Sequence, residues 1–151
     1  MFRNLLAAID GSDHAARALA EAVDIAQGAH ARLTVLTSIP DPSSWLFEGS
    51  TYSVGVDFEV IANQTRREYQ QLLDQAVATV PEDLPVTKVL AHGRPAERIL
   101  EQVEKGGHDL VVMGSRGRGE VRSLLLGSVS HQVLNASPAA VLILHAPPRA
   151  D

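Results

Sequence analysis

Short, largely apolar runs alternate along this chain with longer stretches in which apolar residues recur every three or four positions. The runs fall at residues 4–9, 33–38, 86–91, 109–113 and 140–144. Each is too short for an ordinary helix and shows little polar alternation, so each reads as a strand covered on both faces. After the first run, Ala15, Ala18, Leu19, Ala22, Val23 and Ala26 keep helical spacing, with Gly28 as the expected stop. Residues 57–79 read as a second helix, closed by Pro81. Ala96, Ile99, Leu100 and Val103 form the stripe of a third, entered through Gly93-Arg94-Pro95 with the proline at a first helical position. A short fourth helix runs to Asn135, and Pro138 separates it from the last strand. Residues 40–55, punctuated by Pro40, Pro42, Gly49 and Gly55, read as a long loop. Five strands alternating with four helices predict a single-domain α/β protein with a parallel sheet and helices on both faces.

The connection after the fourth strand carries the candidate chemistry. Gly114-Ser115-Arg116-Gly117 is followed, after nine residues, by Gly127-Ser128 at the head of the short helix. A glycine-rich turn from a strand end into a helix start suits an anion, because unsatisfied N–H groups and the helix dipole both point there. Gly114 and Gly117 would let the backbone turn sharply and approach a phosphate. Ser128 stands as the N-cap, or offers its hydroxyl to a phosphate oxygen instead. The competing reading is that the glycines serve tight strand–helix packing, and that Arg116, Arg118 and Arg122 form a solvated face rather than phosphate clamps.

Asp10 ends the first strand, ahead of Gly11-Ser12. In open α/β sheets ligands bind beyond the carboxyl ends of the strands, where strand order reverses. If the first and fourth strands are neighbours, Asp10 faces the glycine loop across one crevice. Its carboxylate would then accept from a ribose hydroxyl or help hold a divalent cation beside the phosphates. Alternatively it only caps the helix that follows.

Other nucleotide and hydrolase motifs fail. No G-x4-G-K-[ST] is present, and Gly117-Arg118-Gly119 meets Arg122 where a dinucleotide fingerprint needs its third glycine. Gly114-Ser115-Arg116-Gly117 lacks the G-x-S-x-G spacing of a nucleophile elbow. The 6 histidines include no paired helical spacing, so no metal site is argued from them, and His92 and His131 read as structural or solvated. A net charge of −5 argues against general affinity for nucleic acid or acidic membrane. Without cysteine there is neither disulfide nor thiolate metal site. No apolar run approaches the roughly 20 residues of a membrane helix. The first strand begins almost at once, leaving no room for a signal peptide, so a cytoplasmic protein is expected.

These residues together resemble the ATP-binding subgroup of the universal stress protein family. The family pattern G-x2-G-x9-G-[ST] is met at Gly114, Gly117, Gly127 and Ser128. The Asp10-Gly11-Ser12 turn, Gly93-Arg94-Pro95 and the Val111-Val112-Met113 lead into the loop match as well, and the likeness spans residues 3–144. It implies an open parallel five-stranded sheet of order 3-2-1-4-5. It also implies an ATP site in which Ala8 and Asp10 line the ribose side, Ser38 presents its backbone to adenine and Met113 covers the base. Gly114, Ser115, Arg116, Gly117 and Arg118, with Gly127, Ser128, Val129 and Ser130, would wrap the triphosphate. Mg²⁺ or Mn²⁺ would accompany it, with Asp10 as a ligand. The second strand reads Leu36-Thr37-Ser38 where the family more often has a histidine and an aliphatic residue, a departure that backbone contacts would survive.

Two classes of function follow. One is a regulatory protein that binds ATP, or another adenine nucleotide such as cyclic AMP, without useful turnover. The other is a slow ATPase or phosphotransferase using Asp10 and a metal. No general base beside the terminal phosphate and no second acidic metal ligand is evident, which favours binding. Val141, Leu142, Ile143 and Leu144 form an apolar strand expected at the sheet edge, where a two-fold copy would pair with it to make a homodimer. The rival is that residues 147–151 cover that edge. Trp45, Phe47 and Tyr52 either anchor the long loop or form a cover over the nucleotide.

Overall fold

A computed structural model describes residues 1–41, 57–116 and 126–145. Its strands are β1 (Asn4–Ala8), β2 (Arg32–Ile39), β3 (Val86–His92), β4 (Leu110–Gly114) and β5 (Ala140–Leu144). They pair in parallel in the order β3-β2-β1-β4-β5. The helices are α1 (Asp13–Ala29), α2 (Phe58–Ala78), α3 (Pro95–Gly106) and α4 (Ser128–Ala136).

Side chains of β1 alternate between two apolar cores, one on each side of the sheet. Leu5, Ala7 and Ile9 pack with Leu33 and Val35 of β2 under the α1 stripe Ala15, Ala18, Leu19, Ala22 and Val23, and under Leu73 of α2. Leu6 and Ala8 pack with Leu36, Val111 and Met113 under Ala96, Ile99 and Val103 of α3 and Val133 of α4. The central strands therefore need apolar residues at most positions, with Thr34, Thr37 and Ser38 of β2 as buried polar exceptions, which is why they read as largely apolar runs.

Most element ends lie within one residue of expectation, but two caps do not follow the sequence signals. Helix α1 runs through Gly28 and stops at His30, whose φ of 54° is left-handed. The Ala31 N–H reaches back to the Ala26 carbonyl at 2.8 Å, closing a Schellman-type end with a histidine where glycine is the usual occupant. At α4 the N-cap is Gly127 (φ −70°, ψ 167°), and Ser128 is already the first helical residue. The cause is the 2.6 Å bond from the Gly127 N–H to the Ser115 carbonyl, which holds Gly127 extended. Ser128 as N-cap is thus corrected, and no side chain caps this helix.

The long loop with Trp45, Phe47 and Tyr52, the loop residues Gly117, Arg118 and Arg122, and residues 147–151 lie outside the described residues. Among those described, no helix is long and apolar enough to cross a membrane.

Candidate functional site

Helix α1 leaves β1 toward one face of the sheet, and α4 leaves β4 toward the other. Since β1 and β4 are neighbours, their carboxyl ends frame a crevice of the kind that forms where strand order reverses. A cavity of about 230 Å³ occupies it. The apolar wall consists of Ala8, Leu36 and Met113 from the strands, Pro95 and Ile99 from α3, and Val129 from α4. Asp10, Ser38, Gly114, Arg116, Gly127 and Ser130 border it, and Ile9, Ala15, Pro40 and Tyr69 complete the lining. The crevice thus collects Ala8, Asp10, Ser38, Met113, Gly114, Arg116, Gly127, Val129 and Ser130 of the expected site residues. Ser115 and Ser128 are not on the lining.

The Asp10-Gly11-Ser12 turn has a division of labour. Gly11 sits at φ 84°, where a side chain would be strained. Oδ1 of Asp10 accepts from the Ser12 N–H at 2.9 Å, and Oγ of Ser12 accepts from the Ala15 N–H at 3.2 Å. Ser12 is therefore the cap of α1, while Asp10 braces the turn with one oxygen at the edge of the crevice. This settles the alternative in which Asp10 was itself the cap.

Ser38 borders the crevice near the end of β2. Its hydroxyl donates to the Gly93 carbonyl at 2.8 Å, which ties the β2 end to the turn before α3. The Leu36 carbonyl accepts from the Ile9 N–H on the β1 side, whereas the Ile39 carbonyl accepts from the Gly93 N–H on the β3 side. Alternation along the strand turns the N–H and C=O of Ser38 toward the β1 side, past the last β1 partner, Ala8–Leu36. A donor and an acceptor are thereby presented beside the apolar wall.

Across the crevice stands the first turn of α4. The N–H groups of Ser128, Val129 and Ser130 have no acceptor within the helix, as at any helix start, and Gly127 has no side chain to supply one. The Ser130 hydroxyl, however, is occupied. It is buried and donates toward the carbonyls of Gly114 at 2.7 Å and Ser115 at 3.1 Å. Only its N–H remains for an anion.

Ser115 serves the scaffold. It is fully buried, with its N–H on the Leu144 carbonyl at 2.8 Å and its Oγ 3.1 Å from Nδ1 of His14. It joins β4 to β5, to α1 and, through Gly127, to α4. Gly114 also has a packing role. A Cβ there would lie 2.7 Å from the Cβ of His14, 2.8 Å from its carbonyl carbon and 3.0 Å from the Ala15 nitrogen. The first turn of α1 rests on this glycine, so its bare backbone is required whether or not a ligand is bound.

No group of three or more His, Cys, Asp or Glu side chains able to hold a metal occurs among the described residues. A cation at the crevice would rely on ligand oxygens plus Asp10, the arrangement Mg²⁺ commonly adopts on nucleotides. His108 lies on the turn between α3 and β4 at the opposite end of the sheet. Burial holds its imidazole below the ordinary histidine range, and it contacts the Gln102 amide at 3.2 Å. His131, on the exposed side of α4, contacts the Asn135 amide at 3.1 Å.

A doubly wound parallel sheet with a crevice at its switch point defines the class of protein. The model of the universal stress protein family matches residues 1–145, and the chain belongs to that family. It is 35% identical over 149 residues to universal stress protein YxiE of Bacillus subtilis, covering 95% of this chain and 99% of that one. It is 38% identical over 146 residues to a Thermus aquaticus universal stress protein, with coverage of 95% and 99%. Hypothetical protein MJ0577 shares the fold at a TM-score of 0.81, 22% identity and coverage of 100% and 99%. A universal stress protein crystallised in complex with cAMP matches at a TM-score of 0.64 and 25% identity, covering 97% and 98%. An Arabidopsis thaliana family member with AMP bound matches at 0.68 and 17%, covering 97% and 93%.

Proposed function

We propose that this protein is a single-domain regulatory module that binds ATP, accompanied by Mg²⁺ or Mn²⁺, in the crevice between β1 and β4. One juxtaposition carries this reading. An apolar slot edged by the outward-turned backbone of Ser38 lies opposite the uncapped start of α4, so a flat base and an anionic tail are both provided for in one cavity. Asp10 borders the same cavity, and in this reading it takes the ribose side and is the protein's candidate oxygen ligand for the cation. Relatives in the family bound to cAMP or AMP support an adenine nucleotide as the ligand class. The G-x2-G-x9-G-[ST] spacing supports a triphosphate.

The protein acts by binding rather than by turnover. Phosphoryl transfer needs an in-line nucleophile, a group that orients it and charge compensation at the transferred phosphate. Asp10 is assigned to the ribose and the cation rather than to a water, and the hydroxyls of Ser115 and Ser130 are committed to the scaffold. Nucleotide then works as a conformational ligand in a cytoplasmic protein. Mass spectrometry of nucleotide released on denaturing the purified protein tests the reading. ATP is expected. Recovery of cAMP alone would replace ATP as the ligand, and recovery of a non-nucleotide ligand would overturn the proposal.

The same reading includes a homodimer through β5, an edge strand whose Val141, Leu142, Ile143 and Leu144 are only half-buried. Pairing two copies would cover both the open ladder and these side chains. Light scattering at micromolar concentration is expected to give a dimer for the wild type and a folded monomer for Val141→Lys, Ile143→Lys. A dimer that survives both lysines removes β5 from the interface.

A further inference from the structure

The walls of the crevice named so far come from strand ends, from Ala15 of α1 and from α3 and α4; among the described residues α2 adds a single one, Tyr69. Helix α2 buries Leu73 in the core, and Tyr69, four residues earlier, lies on the same helical face. It lines the crevice together with Asp10 and Pro40. It also lines an adjoining cavity of about 430 Å³ together with Gly11, Glu68 and Gln75. Tyr69 therefore borders both spaces, sharing one with Asp10 and the other with Gly11. A carboxylate only accepts hydrogen bonds, whereas a phenol both donates and accepts. A ribose hydroxyl placed beside both would donate to Asp10 and accept from Tyr69, satisfying its proton and one lone pair at once.

We propose that Tyr69 is a specificity-determining residue of this site: with Asp10 it recognises the ribose hydroxyls, so that nucleotides with an intact 2′,3′-diol bind in preference to deoxy or 3′,5′-cyclic ones. The inference rests on the nucleotide reading given above. Its consequence is a preference for ATP over cAMP that arises at the sugar as well as at the phosphates.

Calorimetric titration of wild-type protein and Tyr69→Phe with ATP, 2′-deoxy-ATP, 3′-deoxy-ATP and cAMP tests it. The substitution keeps the ring and removes only the hydroxyl. Wild type is expected to bind ATP about three- to tenfold more tightly than at least one deoxy analogue, the usual worth of one hydrogen bond. Tyr69→Phe should bind ATP more weakly and discriminate less, keeping only the part of the margin that Asp10 supplies, while its affinity for that analogue stays the same. Equal binding of ATP and both deoxy analogues by wild type overturns the proposal and leaves ATP binding intact. So does a Tyr69→Phe protein with unchanged ATP affinity and unchanged discrimination. Wild type that takes up none of the four nucleotides overturns the nucleotide reading itself, and this proposal with it.

Discussion

Ser128→Glu is expected to abolish measurable ATP binding while leaving the protein as stable as before, or slightly more so. Ser128 is the exposed first residue of α4, directly after the uncapped Gly127. A carboxylate at a helix start interacts favourably with the dipole, by about 0.3–1 kcal/mol. A triphosphate seeking the same N–H groups meets a like charge instead. At about 4 Å and an effective dielectric near 20, one pair of unit charges repels by about 4 kcal/mol, close to a thousandfold in affinity. Thermal melting and ATP titration should therefore move in opposite directions, which a merely destabilised variant would not do. Retained ATP affinity would place the phosphates away from α4.

The largest effect on folding is expected from Gly114→Val. The obstruction is the backbone of α1 at His14 and Ala15, not the end of a flexible side chain. Helix α1 is fixed by six buried residues, from Ala15 to Ala26, so it cannot shift without disturbing the core beneath it. Overpacking usually costs about 1–3 kcal/mol, and a branched side chain against backbone should reach the top of that range or exceed it. Urea denaturation would measure a lower midpoint with an unchanged slope. Stability within about 0.5 kcal/mol of wild type, the range of neutral surface changes, would mean that α1 does not rest on this glycine.

The central strands β1, β2 and β4 were legible in the sequence because burial on both faces demands mostly apolar runs, and their ends then located Asp10, Met113 and Gly114. The helix ends were less so. Gly28 carries the usual stop signal, but the chain turns left-handed at His30, where the Schellman bond of Ala31 sets the end. Ser128 has the side chain of an N-cap, but a backbone bond to Ser115 moves the cap to Gly127. Spacing also cannot tell a hydroxyl that faces a phosphate from one that faces a carbonyl. Ser115 and Ser130 fit the loop pattern, yet both side chains hold the scaffold together. The apolar slot was missed for another reason. Leu36, Tyr69, and the pair Pro95 and Ile99 come from three different elements, and only the folded chain brings them to one cavity.

Titration of nucleotide-free protein with ATP in the presence of Mg²⁺, followed by calorimetry, tests the central claim most directly. The account predicts saturable heat with about one site per chain. It also predicts that Ser128→Glu, folded under the same conditions, gives none. Flat heats from folded wild-type protein up to millimolar ATP would contradict it.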